Sequence, residues 1–295
     1  MWLNNKHLLY LLPAVSVVFF LFIGGFIEGF IQSMGYFPAA GEREFSFHYY
    51  QKILFSQDFW DSLLLTLRIA FLSSVFAGIL GMVVCVCLFF LSLSSKKKHN
   101  QFWQKFFQLP MAVPPLVTAF LIVLLLGQSG WISRIFGSFE WVDQINQFPI
   151  LTNDSFGWGI IIAYTWKEAA FIALMLQPML SRIHGSWLDV SKVFGCGKWS
   201  FFREIMFPLL IPAWTSATFI VFAFTFSAFE VPFLLGVTYP KMLPVLSYSL
   251  YTSGGLEARP EALAINVILV FLVILIGLIA YRLSKRWYTN EQGGW

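Results

Sequence analysis

The sequence predicts an all-α integral membrane protein with six transmembrane helices. Of its 295 residues, 58% are hydrophobic and only 12% are charged, a balance far outside that of soluble domains. Six apolar stretches are each long enough to cross a bilayer, which takes about 20 residues. The polar connections between these stretches also sort by charge, as they do in membrane proteins.

The six predicted spans are residues 8–31, 62–93, 106–127, 156–180, 209–236 and 262–284. The first stretch lacks a small-residue cleavage site and is too long for a signal-peptide core, so we expect a retained helix. Prolines within or near two of the spans predict kinks at Pro110, Pro114, Pro115 and Pro232. The longest connections have about 30 residues, too few for a soluble domain. Residues 1–295 are therefore predicted to form one transmembrane domain.

The connections differ in charge between the two sides of the membrane. Twelve basic residues lie in segments 1–7, 94–105, 181–208 and the C-terminal region from Arg282, with Lys96 among them. The opposite connections carry five basic residues and nine carboxylates, including Glu140. By the positive-inside rule, both termini and the 181–208 loop are predicted to be cytoplasmic.

One cytoplasmic stretch, residues 189–208, reads DVSKVFGCGKWSFFREIMFP and invites comparison with nucleotide-binding loops. A Walker A loop fails at two required positions, because Lys192 replaces the first glycine and Trp199 replaces the hydroxyl residue. A dinucleotide fingerprint fails because Ser200 replaces its third glycine. The four histidines, His184 among them, have no partner at metal-ligand spacing. The sequence therefore predicts no catalytic site and no metal site, and the net charge of +4 is weak evidence for nucleic acid.

The local pattern of this stretch predicts two short helices joined by a sharp turn. The segment WLDVSKVF is amphipathic, and Asp189 is expected near the N-terminus of its helix. Gly195 and Gly197 permit the turn, and a second helical run leads to Pro208 and the next span. The pair is either an interfacial element in the headgroup zone or a docking element for a cytoplasmic partner.

The residues at this place resemble a known loop. One register is similar to the EAA loop of ABC importer permeases, which reads E-A-A-x-x-x-G and, after nine intervening residues, I-x-L-P. In this chain it comprises Asp189, Val190, Ser191, Gly195, Ile205, Phe207 and Pro208. Asp replaces Glu, Val-Ser replaces Ala-Ala, and Phe replaces Leu, while the glycine, isoleucine and proline keep their register. Three further segments resemble those of polyamine-type and related binding-protein-dependent permeases: LPMAVPPLVTAF at 109–120, WKEAAF at 166–171 and FEVPFLLG at 229–236.

This resemblance implies a type I ABC importer permease in a bacterial inner membrane, with its N- and C-termini inside the cell. It implies an ATPase-coupling loop at 181–208, with Asp189, Val190, Ser191, Val193, Phe194, Gly195, Ile205 and Pro208 as its functional residues. The implied partners are two ATP-binding cassette subunits, a second and different permease chain, and a periplasmic or extracellular solute-binding protein. ATP and magnesium would bind to the ATPase subunits, so the chain itself is expected to carry no cofactor and to be no enzyme.

Charged residues within the predicted spans are the second candidate site, because an unpaired charge in lipid costs several kcal/mol. Lys167 and Glu168 fall near the middle of the fourth span, and Arg68 and Glu230 fall closer to outer ends. They either form structural ion pairs, such as Arg68 with Glu230, or line a pathway for a charged solute.

Three functions remain open: an importer permease, a secondary transporter, or a membrane scaffold that transports nothing. For an importer, a polyamine is the first substrate expectation from the resemblance. Ferric iron, thiamine and a sulfate-like inorganic anion are the alternatives.

Overall fold

The structure is a computed structural model that describes residues 6–38, 41–94, 97–139, 141, 144, 147–183 and 185–291. Lys96, Glu140 and His184 lie outside the described residues, as do the ends of the predicted domain at 1–5 and 292–295. The described residues of 1–60 and 243–272 form one compact unit, and those of 61–242 and 273–295 form a second. The expectation of one functional domain over 1–295 stays a prediction.

The helices in order are α1 Lys6–Ser33, α2 His48–Leu54, α3 Gln57–Ser94, α4 Lys97–Ala112, α5 Pro115–Leu126, α6 Trp131–Ser138, α7 Trp158–Leu180, α8 Gly185–Val193, α9 Lys198–Phe201, α10 Phe207–Ser227, α11 Glu230–Leu235, α12 Leu243–Ser253 and α13 Arg259–Glu291. A π-helical turn, Phe202–Met206, joins α9 to α10.

Six helical stretches of the described chain are long and apolar enough to cross a membrane, which confirms the predicted number. They are Tyr10–Ser33, Gln57–Leu93, Pro115–Ser138, Trp158–Leu180, Lys198–Ser227 and Arg259–Arg282. The helix of the second span, α3, begins five residues earlier than predicted, at Gln57 instead of residue 62.

The first unit is tied together by polar contacts at one end of its helices. The Ser33 and Tyr50 hydroxyls lie 2.6 Å apart, and Ser247 Oγ donates to the Ala262 carbonyl oxygen at 2.9 Å. Lys52 Nζ lies 2.6 Å from a Glu261 carboxylate oxygen. These contacts join α1, α2, α12 and the start of α13.

The second unit is built around α7, which packs against α4, α5, α10 and α11. Because lipid is as apolar as the side chains, membrane helices associate through close packing, and small residues permit that. At Gly81 a Cβ atom would lie only 2.8 Å from Ile172 Cβ, so α3 approaches α7 where only a glycine fits. Nearby, Trp214 Nε1 donates to the Gly78 carbonyl oxygen at 2.9 Å and ties α10 to α3.

Two of the predicted continuous helices are interrupted in this unit, and proline explains both breaks. The predicted helix 106–127 is divided between α4 and α5 at Val113 and Pro114, and Pro115 is the first residue of α5. The predicted helix 209–236 ends at Ser227 and resumes at Glu230, because Pro232 has no N–H to donate to the residue four positions earlier. The expected kinks near these prolines are thus full interruptions, except that Pro110 lies inside α4.

Candidate functional site

The first candidate site is the segment formed by α8, the turn after it, α9 and the π turn, residues 185–206, which we call the coupling segment. One face of α8 is anchored, because Leu188 and Ser191 are buried and Ser191 Oγ donates to the Leu188 carbonyl oxygen at 2.7 Å. The other face is open: Val193 and Phe194 are 84% and 81% exposed. Two exposed apolar side chains therefore lie at the end of a helix whose opposite face is buried.

A glycine-dependent cap ends α8. Gly195 has φ +79°, a left-handed conformation that glycine adopts without steric cost. Its N–H bonds to the Lys192 carbonyl oxygen at 2.9 Å, and the Cys196 N–H bonds to the Ser191 carbonyl oxygen at 3.0 Å. This pair of bonds is the Schellman motif, which satisfies the last carbonyls of a helix. The predicted turn is present and depends on Gly195, whereas Gly197 is extended, with φ −77°.

The second half of the coupling segment is fastened to the membrane helices. Phe201 and Met206 are fully buried, and the Phe201 ring stacks on Phe89 of α3 with centroids 6.4 Å apart. The wide π turn precedes Pro208, which cannot donate to the carbonyl of Glu204. Ile205 lines a groove of about 350 Å³ together with Trp187, Val190, Ser191, Phe194 and Cys196.

Asp189 lies elsewhere than predicted. It is the fifth residue of α8, because the helix already begins at Gly185, and it is not near the helix N-terminus. Its carboxylate binds Lys192 Nζ at 2.9 Å, with side chains 74% and 57% exposed. An ion pair this exposed contributes little stability. Because both side chains are exposed, their charges are accessible to a partner.

The two basic side chains predicted inside the membrane both bind backbone carbonyls. Arg68 donates to the Ser155 carbonyl oxygen at 2.9 Å, and its guanidinium lies 4.4 Å from the Phe156 ring centroid. Lys167 Nζ donates at 3.0 Å to the carbonyl oxygen of Val113, at the break between α4 and α5. Because the helix is interrupted, that carbonyl has no N–H donor from a following helical turn, and the lysine supplies the hydrogen bond. The negative end of the α4 dipole in turn stabilises the ammonium charge.

The two carboxylates remain without such partners. Glu168 is only 8% exposed, and Glu230 is the first residue of α11. Among the described residues, neither carboxylate forms a hydrogen bond or an ion pair. The predicted ion pair between Arg68 and Glu230 is therefore wrong. The arginine instead contacts the Ser155 carbonyl oxygen and the Phe156 ring.

The sequence reasoning missed two buried hydroxyl groups. Tyr164 and Thr225 are both fully buried, and within the described chain their hydroxyls have no hydrogen-bond partner. Tyr164 lies one helical turn before Glu168 on α7, a spacing that could have been read from the sequence.

Comparison with known proteins identifies the family. A model of the family described as "Binding-protein-dependent transport system inner membrane component" matches residues 88–290, which include the whole coupling segment. The chain belongs to this family. It is thus a multi-pass membrane permease, a transport subunit and not an enzyme.

Two relatives of this permease are distant from it in sequence. It is 23% identical over 239 residues to the probable starch degradation products transport permease of Thermoanaerobacterium thermosulfurigenes, covering 78% of this chain and 76% of that protein. It is 26% identical over 228 residues to a putative ferric transport permease of Haemophilus influenzae, covering 75% of this chain but only 34% of that longer protein.

A solved structure establishes the same fold. A chain of a bacterial ABC transporter involved in the import of alginate aligns with a TM-score of 0.80 at 18% identity, over 96% of both chains. The permease therefore has the fold of an ABC importer permease, as the EAA-like register of Gly195, Ile205 and Pro208 predicts.

Proposed function

We propose that this permease carries a small polar solute into the cytoplasm, driven by an ATPase subunit that grips the coupling segment. The observation that carries the proposal is the exposure of Val193 and Phe194 on a helix whose opposite face is buried. Trp187 and Val190, which line the same groove as Phe194, are also exposed, and an apolar patch of this kind marks a site of interaction with a partner. The neighbouring groove of about 350 Å³ offers that partner a complementary depression.

The packing explains how a movement of the partner would reach the transport pathway. Leu188, Phe201 and Met206 belong to one buried cluster together with Ile172 of α7 and Leu210 of α10. Because packed cores resist compression, displacement of α8 moves these helices instead of being absorbed locally. Closure of the ATPase subunits would then rock α7 and α10 and alternate access to the site between the two sides of the membrane.

The proposal includes an assembly in a bacterial inner membrane. We expect two ATP-binding cassette subunits that hold ATP and magnesium, a second permease chain of different sequence, and an external solute-binding protein. The description of the family names a binding-protein-dependent system, which supports the last of these partners.

A polyamine is our first substrate proposal. The relatives named for starch products and for ferric iron show that the family serves chemically different solutes. Ferric iron, thiamine and an inorganic anion therefore stay as alternatives. Since Lys167 and Arg68 are bound to carbonyls of this chain, the carboxylates of Glu168 and Glu230 are left to serve a cationic solute.

Copurification with an ATPase tests the proposed function directly. The tagged full chain would be expressed with its second permease chain and its ATP-binding cassette subunits, and both copurification and ATP-driven uptake into proteoliposomes supplied with the solute-binding protein would be measured. Phe194→Ser should weaken both. Phe55→Ser, which changes a phenylalanine that is even more exposed and is predicted to lie outside, should weaken neither. Uptake by the chain alone would favour a secondary transporter, and absence of any uptake would favour a scaffold.

A further inference from the structure

The second unit contains a cavity of about 420 Å³ between α3, α4 and the end of α7. Its apolar wall is formed by α3, by the last residue of α7 and by the turn after it: Cys85, Leu88, Phe89, Leu93, Leu180 and Ile183. A cavity of this size that combines an apolar wall with a few polar groups is typical of a ligand site. Among the described residues that line it, none belongs to the coupling segment.

Four polar side chains line the same cavity, and two of them are amides. Gln104 of α4 and Gln177 of α7 are half-buried, and within the described part of the chain neither amide has a hydrogen-bond partner. The other two, Ser92 and Ser181, donate to backbone carbonyl oxygens three residues earlier, at 2.6 and 2.8 Å, and so keep only acceptor capacity. Because a carboxamide both donates and accepts, the two amides match the hydroxyl groups of a ligand.

The lining of this cavity carries no charge. None of its described residues is acidic or basic. The neighbouring basic residues in sequence, Lys105 and Arg182, are exposed and are not among the lining residues. A phosphate or ammonium group placed here would lose water without gaining an ion partner, which is unfavourable. The lining therefore selects an uncharged ligand.

The position of the cavity along the helices favours a lipid over a soluble compound. The spanning stretches Gln57–Leu93 and Trp158–Leu180 both end at the cavity, on the predicted cytoplasmic side. Ser92 and Ser181 lie at these ends, whereas Cys85 lies about 12 Å deeper than Leu93 at 1.5 Å per residue. Polar groups thus lie near the headgroups, and the apolar wall extends toward the hydrocarbon. An amphiphile has the same gradient from head to chain.

We propose that this cavity binds a membrane lipid with one acyl chain and an uncharged, hydroxylated head, of the monoacylglycerol type. The head hydroxyls would exchange hydrogen bonds with the amides of Gln104 and Gln177, and the chain would lie along Leu88 and Phe89. One chain is assigned because a cavity of this volume takes a ligand of drug size. The inference goes beyond the proposed function, since it requires neither a transported solute nor an ATPase.

A lipid in the cavity would contact the core that holds the coupling segment. Phe89, Leu180 and Ile183 of the cavity wall belong to the same buried cluster as Leu188 and Phe201 of the coupling segment. A ligand that binds the folded state raises its melting temperature. Monoacylglycerol should therefore raise the melting temperature of the wild-type permease.

The probe for the experiment is a monoacylglycerol with a diazirine in its acyl chain, added to the full chain in phosphatidylcholine nanodiscs. Illumination should link the probe to the peptides that contain Leu88 and Leu180, as detected by mass spectrometry. Excess unlabelled monoacylglycerol should compete. The matching lysophosphatidic acid, which has the same chain and glycerol but adds a phosphate, should not compete, and neither should glycerol alone.

Glutamine variants test the proposed contacts to the head. Gln104→Leu and Gln177→Leu should each reduce labelling of these peptides by about threefold to tenfold, the usual effect of losing one hydrogen bond. Because neither amide has a partner among the described residues, the variants should not lower the melting temperature measured without monoacylglycerol. Gln108→Leu, one turn further along α4 and outside the lining residues, should leave labelling unchanged.

Three results would overturn the lipid site. They are labelling that the Gln104 and Gln177 variants do not reduce, equal competition by lysophosphatidic acid, and no labelling of these peptides above that of other lipid-facing peptides. Competition by glycerol at the concentrations that suffice for monoacylglycerol would assign the cavity to a soluble polyol and overturn the lipid as its occupant. Reduced labelling that appears only together with a lower melting temperature would make the amides structural and refute their assignment to the head.

Discussion

The cap at Gly195 allows a sharp test of the coupling segment, because the nearby Gly197 has room for a side chain but lacks the left-handed backbone conformation. Gly195 has φ +79° and Gly197 has φ −77°, and at either position an added Cβ would meet nothing within 4 Å. A residue with a Cβ atom, such as valine, therefore has room for that atom at both positions. At position 195 alone it must adopt a left-handed backbone conformation.

The expected cost follows from that conformation. A residue with a Cβ pays roughly 1–2 kcal/mol in the left-handed region, and a β-branched residue is at the upper end. The alternative is to open the two cap bonds from Gly195 and Cys196, which frees the end of α8 and misplaces Val193 and Phe194. Since 1.4 kcal/mol is a factor of ten, Gly195→Val should weaken ATPase docking by roughly 5- to 30-fold.

The assay is affinity of the purified ATPase subunit for the permease in nanodiscs, with the melting temperature of the permease as a measure of its fold. Gly195→Val should lower the affinity with little change in melting temperature. Gly197→Val should change neither, and Gly195→Asn should retain most of the affinity, because asparagine tolerates the left-handed region. Equal affinity for wild type and Gly195→Val would refute the reasoning.

Three further predictions concern topology and packing. A cysteine introduced at Ser186 should resist a membrane-impermeant reagent added outside intact cells, and labelling from outside would contradict the predicted orientation. Gly81→Ala should destabilise the permease by about 1–3 kcal/mol through overpacking against Ile172. Gly24→Ala should not, because the space around its Cβ atom is open. Equal melting temperatures for the two variants would exclude the close contact at Gly81. Lys167→Met should lower the melting temperature, because the carbonyl at the α4–α5 break loses its donor, and an unchanged value would show that this hydrogen bond adds no stability.

Much of the fold was predictable because it depends on local properties of the sequence. The length of an apolar stretch decides whether it can span a bilayer, so the number of spans followed from the sequence. The breaks were only partly visible: Pro114 and Pro232 predicted bends, but whether a helix bends or stops depends on the neighbours that satisfy its free carbonyls. At Val113 that neighbour is Lys167, 54 residues away in sequence.

The candidate site was predictable in its local register and not in its long-range pairings. The turn at Gly195 followed from the residue type, because glycine is the residue that a left-handed cap favours. The partner of Arg68 could not be read in the same way, since a carbonyl oxygen carries no sequence signature. Tyr164 was missed because a tyrosine in an apolar helix is ordinary until its hydroxyl proves to be unpartnered.

The central claim, that the coupling segment contacts an ATPase subunit, is tested most directly by photo-crosslinking from position 194. Replacing Phe194 with benzoylphenylalanine keeps an aromatic side chain at a site that is 81% exposed. Illumination of the assembled transporter should link this position to the ATPase subunit, while the same replacement at exposed Phe47, predicted to lie outside, should not. An intact complex in which position 194 never crosslinks to the ATPase, or does so no more than position 47, would contradict the account.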